Sequence, residues 1–158
     1  MSSQELFNSI QHSALSASLT KLDHLYGAVA QLGHITGLVL LLSSIVLVNL
    51  RVLGFGLTGQ PVTKLAESTK YFIWIGFALL AISGLFIFIP AANIYYINPF
   101  FWYKAELLIA AVIVQLTLFR WITKTDTPNP ILAKSTAVLS LTLWFSIGAS
   151  GRIIGFLN

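Results

Sequence analysis

Four long apolar stretches run along the chain, separated by short segments that hold most of its charges. The first, Tyr26 to Leu50, carries no formal charge and closes on Arg51. The second starts at Tyr71 and reaches about Ile89, where Pro90 is expected to end or kink a helix. The third covers about 100–122 and the fourth about 135–157. A helix needs roughly 20 apolar residues to cross the hydrocarbon core of a bilayer, and each stretch has that length. The pattern predicts four transmembrane helices in an up-down-up-down bundle, an all-α fold.

The third stretch has marked edges. Trp102 and Trp121 lie 19 residues apart, which in a helix spans roughly 29 Å, the hydrocarbon thickness. Tryptophan favours the membrane interface, so both ends read as anchored. Between the stretches, residues 51–70 hold Gly54, Gly56, Gly59 and Pro61, residues 90–99 hold Pro90, Asn93, Asn98 and Pro99, and residues 124–134 hold Thr127-Pro128-Asn129-Pro130. All three read as loops.

Lysine and arginine set orientation. Loops one and three hold Arg51, Lys64, Lys70, Arg120, Lys124 and Lys134, against Lys21, Lys104 and Arg152 on the other side. The excess places loops one and three in the cytoplasm and both termini outside, in a bacterial inner membrane. Residues 1–24 form a separate outer-side segment ahead of the four-helix domain, 25–158. Phe7, Ile10 and Ala14 would give this segment a weak apolar stripe, so a short interfacial helix and a frayed terminus are both open. Residues 1–20 carry no basic residue and include Glu5, so no signal peptide is expected. The first span would then direct insertion.

Composition agrees. The chain is 56% apolar and 9% charged, whereas a soluble domain has about 25% charged residues. The net charge of +4 comes from residues scattered at the ends of apolar runs, which suits lipid headgroups and excludes nucleic acid as the partner. With no cysteine, iron–sulfur clusters and c-type haem attachment are excluded.

Membrane helices pack through small and weakly polar residues. Candidate inward stripes are Gly27, Ala30, His34, Gly37, Leu41 and Ser44 in the first span; Gly76, Leu80 and Ser83, with Gly84 beside them, in the second; Lys104, Leu108, Ala111 and Gln115 in the third; and Trp144, Gly148, Gly151 and Gly155 in the fourth. Ionisable groups within a membrane are costly and usually face the bundle interior. His34, Lys104, Glu106 and Arg152 stand at comparable depth in the outer half of three different spans. His34 is a candidate axial ligand to one haem iron, with Gly37 leaving room for the ring and Lys104 and Arg152 pairing with propionates. Lys104 and Arg152 also suit a quinone head or an anion, or they snorkel to phosphates. Glu106 would pair better with Arg152 than with Lys104. His12 and His24 read as surface histidines, either of which would supply a second ligand if the N-terminal segment folds back.

The segments LGHITGLVLLLSSIVLVNLRVLGFG, NPFFWYKAELL and LWFSIGASGRIIGF resemble a family of small uncharacterised bacterial four-helix membrane proteins. The resemblance covers roughly residues 25–157 and points to His34, Asn49, Arg51, Lys104 and Arg152. That family is distantly similar to the membrane domain of copper-resistance D proteins and to di-haem b-type cytochromes. The chain departs from both. Copper handling would need more histidine or methionine, and two bis-histidine haems would need four intramembrane histidines where His34 stands alone, so at most one haem b fits.

Three functions follow as expectations: a redox or sensing protein with a b-type haem or quinone-like ligand around His34, a non-catalytic accessory subunit of a larger membrane complex or homo-oligomer, and an enzyme or transporter for a lipophilic substrate.

Overall fold

Prolines that look like helix breakers in the sequence stand at helix starts in the structure. Pro61 caps α4 (Val62–Phe88), Pro99 opens α6 (Pro99–Val114) and Pro130 opens α8 (Pro130–Leu157). At the first helical position the missing N–H has no intrahelical acceptor to lose, and the fixed φ is already helical. Asn98 and Asn129 complete two of these starts by accepting backbone N–H groups, from Phe100 at 3.0 Å and from Ile131 at 3.0 Å. The computed structural model describes residues 2–22, 25–125 and 128–157, with Leu157 described by its backbone alone.

The described elements are all helical. Two short helices, α1 (Ser3–Gln11) and α2 (Ala14–Thr20), precede α3 (Leu25–Leu53). After α4 a 3₁₀ turn (Ile89–Ala91) leads into α5 (Ala92–Ile97). After α6 a π turn (Gln115–Phe119) leads into α7 (Arg120–Lys124), and α8 closes the chain. Four stretches are long and apolar enough to cross a membrane: Leu25–Leu53, Val62–Ile97, Pro99–Lys124 and Pro130–Phe156. They run alternately up and down. Each is longer than the apolar pattern alone indicates, most of all the second, which gains residues at both ends. Residues 62–70 belong to α4 rather than to a loop. Pro90 produces a 3₁₀ turn and no break, so the segment 90–99 is mostly helical.

The connection between α3 and α4 is a true loop. Gly54 (φ +92°) and Gly56 (φ +70°) take the left-handed backbone that closes the helix. Arg51 ties the loop down, its Nε donating to the Gln60 carbonyl at 2.6 Å and its Nη2 to the Thr58 carbonyl at 3.2 Å.

Packing is uneven around the bundle. α3 lies along α4 and also against α8, and α8 lies along α6. Leu41, Ile45, Ile73, Ala111, Trp144 and Ile147 form the buried core between them. The α3–α4 seam is a backbone contact: a Cβ on Gly76 would stand 2.6 Å from the Leu41 nitrogen, and one on Gly37 would stand 2.8 Å from the Gly76 carbonyl. Only glycine permits that approach. On the outside, Val29, Leu32, Ile35, Val39, Ile75, Ile82, Ile109 and Ile113 are exposed. Such a surface is at home in acyl chains and not in water.

The stripe expected for the fourth span holds at Trp144, which is buried, and at Gly151, which meets Lys104, but not at Gly148 and Gly155. Ser140, Trp144, Ile147, Ser150 and Ile154 face inward. Gly148 and Gly155 have open space where a Cβ would point, as does Gly27 in α3. The buried face is rotated by about one residue from the one that glycine placement suggests.

The N-terminal segment folds back onto the end of the bundle that carries α5. A capping box, Ser2 with Glu5, starts α1. Phe7 packs against Phe88, Tyr96, Phe101 and Trp102 with ring centroids 5.1–6.2 Å apart. Gln11 Oε1 accepts from the Asn93 backbone N–H at 2.8 Å, and Asn8 Oδ1 accepts from Asn93 Nδ2 at 3.2 Å. The segment is an ordered cap, so the frayed alternative is set aside.

Candidate functional site

His34 sits at the α3–α4 seam, and Lys104 of α6, seated against Gly151 of α8, lies within electrostatic reach of it. The α3–α4 seam brings its imidazole between Ser83 and Gly84, where a Cβ on Gly84 would stand 3.4 Å from His34 Cε1. His34 Nδ1 and Ser83 Oγ are 3.0 Å apart. The Ser83 hydroxyl has one proton, and it donates that proton to the Leu79 carbonyl at 2.5 Å. A Ser83 hydroxyl committed to Leu79 accepts from His34, in the tautomer with the proton on Nδ1 and the lone pair on Nε2; His34 also bonds the Leu80 backbone.

Lys104 of α6 faces the same region. Its Nζ would lie 3.2 Å from a Cβ on Gly151 of α8, so the glycine makes the groove in which the ammonium rests. It is near enough to His34 for the two to interact electrostatically. Among the described residues no carboxylate pairs with Lys104; the ion pair found there is Lys70–Glu67, 3.5 Å apart. The cluster therefore sets a half-buried cation within electrostatic reach of an imidazole, two residues inside Trp102 on the third span.

The structure does not bring the other polar candidates here. Arg152 is exposed and lies over the ring of Phe156 on its own helix, 4.9 Å from the centroid. Glu106 is exposed on another face of α6, near Tyr103 and Ser150. Gly37 is filled by its contact with α4, so the room for a ring expected from that glycine is not there. His12 stays on the cap, its Nδ1 2.9 Å from the Asn8 carbonyl. His24 lies outside the described residues.

Asn49 and Gln115 are farther down the bundle. Asn49 is fully buried, with Nδ2 donating to the Ile45 carbonyl at 2.9 Å and to Ser140 Oγ at 3.2 Å, a polar lock between α3 and α8. Gln115 opens the π turn and has a buried Oε1 without a partner. Arg51 serves the α3–α4 loop.

Reading the sequence for site residues takes Ser83 only as packing. Its signal was a hydroxyl deep in an apolar span, where a polar group needs a partner.

Fold and site together define a four-helix membrane bundle with a His–Lys cluster near the end that carries the termini. The chain belongs to a family of unknown function, DUF6644, whose sequence pattern matches residues 7–157. The chain matches no curated protein and no solved structure.

Proposed function

We propose that this membrane protein binds the oxygen-bearing head group of a lipid-soluble ligand, of the quinone–quinol class, between His34 and Lys104, and takes part through it in electron transfer or sensing. One observation carries the reading. A cation without a carboxylate partner among the described residues lies within electrostatic reach of an imidazole on another helix. An unpaired charge at that depth is costly, and a ligand oxygen accepting from Lys104 Nζ offsets the cost. A quinol hydroxyl would in addition donate to His34 Nε2. Under the orientation expected from the loop charges, the site lies in the outer half of the membrane.

The test is extraction of the protein in mild detergent, followed by solvent extraction and mass spectrometry of bound lipids. Quinone at near-stoichiometric amount is expected, with an at least tenfold loss in Lys104→Met. One charge-assisted hydrogen bond of about 1.5–3 kcal/mol supports a loss of that size. Equal retention in Lys104→Met, with the variant still monodisperse, overturns the reading.

A second reading rests on the same tautomer. An imidazole whose Nδ1 is held by a hydroxyl presents Nε2 as a metal ligand, the usual arrangement around ligating histidines, so His34 would serve as the protein ligand to a single haem b. It requires a Soret band in protein from haem-replete cells, lost in His34→Ala. A colourless preparation removes it. If neither quinone nor haem is found and a stoichiometric larger partner co-purifies instead, the chain acts as an accessory subunit.

A further inference from the structure

The half of the bundle away from the His34 cluster holds a cleft of about 580 Å³, the size of small-molecule sites. One wall is α4 and the other is the third span from Val112 to Lys124, and α4 touches α7 at one end. Both walls change character along their length. On α4 the lining runs from Thr63, Glu67 and Lys70 to Ile73 and Phe77. On the third span it runs from Lys124, Thr123 and Arg120 to Leu116 and Val112. The two spans are antiparallel, so their charged ends coincide and their apolar ends coincide. The cleft is therefore polar at one end and apolar at the other. Gln115 and Trp144 also line it, but their unpartnered Oε1 and Nε1 atoms are buried and present nothing to a ligand.

The polar end carries a net positive charge. Lys70, Arg120 and Lys124 stand against one carboxylate, Glu67. Glu67 is 3.5 Å from Lys70 and answers that cation. Arg120 and Lys124, one turn apart on α7, are exposed and have no carboxylate within ion-pair distance among the described residues. Trp121 follows Arg120 in the chain, and tryptophan marks the membrane interface, the level of lipid head groups. The apolar end lies deeper, since Phe77 is seven residues beyond Lys70, roughly 10 Å along the helix. A ligand that fills this space needs an anionic head and a hydrocarbon tail. A free anion leaves the apolar end empty, and an uncharged lipid adds nothing at Arg120 and Lys124.

We propose that this cleft is a second binding site, for an anionic phospholipid whose phosphate is held by Arg120 and Lys124 and one of whose acyl chains lies along Ile73, Phe77, Val112 and Leu116. Sixteen residues of the third span separate Lys104 from Arg120, roughly 24 Å, so the site is independent of the His34 cluster. Under the orientation expected from the loop charges it opens to the cytoplasmic leaflet, whose anionic lipids attract basic residues.

The probe is phosphatidylglycerol with a diazirine in the middle of one acyl chain, photolysed with the full-length protein in phosphatidylcholine nanodiscs and mapped by peptide mass spectrometry. Adducts are expected on the segments around residues 73–77 and 112–116. Unlabelled phosphatidylglycerol should compete about tenfold better than added phosphatidylcholine, an advantage that two basic residues at a lipid surface supply. Inorganic phosphate should not compete. The double variant Arg120→Gln/Lys124→Gln should lower labelling by about the same tenfold factor while keeping the parental unfolding temperature, since both cations are exposed. Lys64→Gln removes an exposed cation of α4 that does not line the cleft and should leave labelling unchanged. Equal competition by phosphatidylcholine overturns the proposal, since it would show an apolar groove that takes any lipid. Competition by inorganic phosphate overturns it in favour of a free-anion site. Undiminished labelling in the folded double variant, or an equal loss in Lys64→Gln, overturns it as well. If the double variant fails to fold, the competition measured on the parent protein decides.

Discussion

The two flanks of α4 solve the same problem in opposite ways. Toward α3 the helix comes so close that backbone touches backbone at Gly37 and Gly76, with no room for a methyl group. Toward α6 it stands away and leaves a cleft of about 580 Å³. The difference lies in the size of the facing residues. Glycines let main chains approach to the limit and gain dispersion over the whole seam. Large side chains, Phe77, Trp74 and Leu116, line the open side, where the π turn of the third span begins. A membrane bundle has little hydrophobic pressure to close such a gap, because the lipid outside is as apolar as the core inside. Rigid seam and open cleft can therefore share one helix.

Adding bulk on each side distinguishes the two flanks. The largest effect is expected from Gly76→Leu, which drives a side chain into the Leu41 backbone. It should cost at least about 3 kcal/mol and lower the thermal unfolding temperature in detergent sharply. A variant with parental stability would mean that the seam is not the contact described. Val112→Phe adds a smaller bulk, a ring in place of an isopropyl group, on the open side. It should change stability by less than about 1 kcal/mol in either direction, since the ring has space to enter, as read by the same thermal assay. Gly148→Ala tests the face that glycine placement marks as packed and the structure leaves open. With nothing within 4 Å of the new methyl, the better helix propensity should leave stability unchanged or raise it by up to about 1 kcal/mol, as read by the same thermal assay. A large loss would show that another copy or partner covers that surface.

The candidate site was partly legible. His34 and Lys104 are conspicuous in sequence because charge and imidazole are rare in apolar spans, and the structure brings them together. Arg152 is as conspicuous and lies elsewhere: its position near the end of α8 lets it reach outward over Phe156. Side-chain reach near a helix end is not written in residue spacing.

The number of spans, their approximate positions and the all-helical class follow from the sequence by itself. Backbone groups in hydrocarbon must be satisfied within the segment, and long apolar runs have no other solution than the helix. The tertiary structure alone decided the rotation of each helix, and with it the exposure of Gly148, the pairing of Ser83 with His34, the seating of Lys104 against Gly151, and the cleft at Gln115 and Trp144. The physical reason is that a helix apolar on every side carries no amphipathic stripe to report its inner face. In lipid that choice falls to the fit of neighbouring helices, which only the assembled bundle contains.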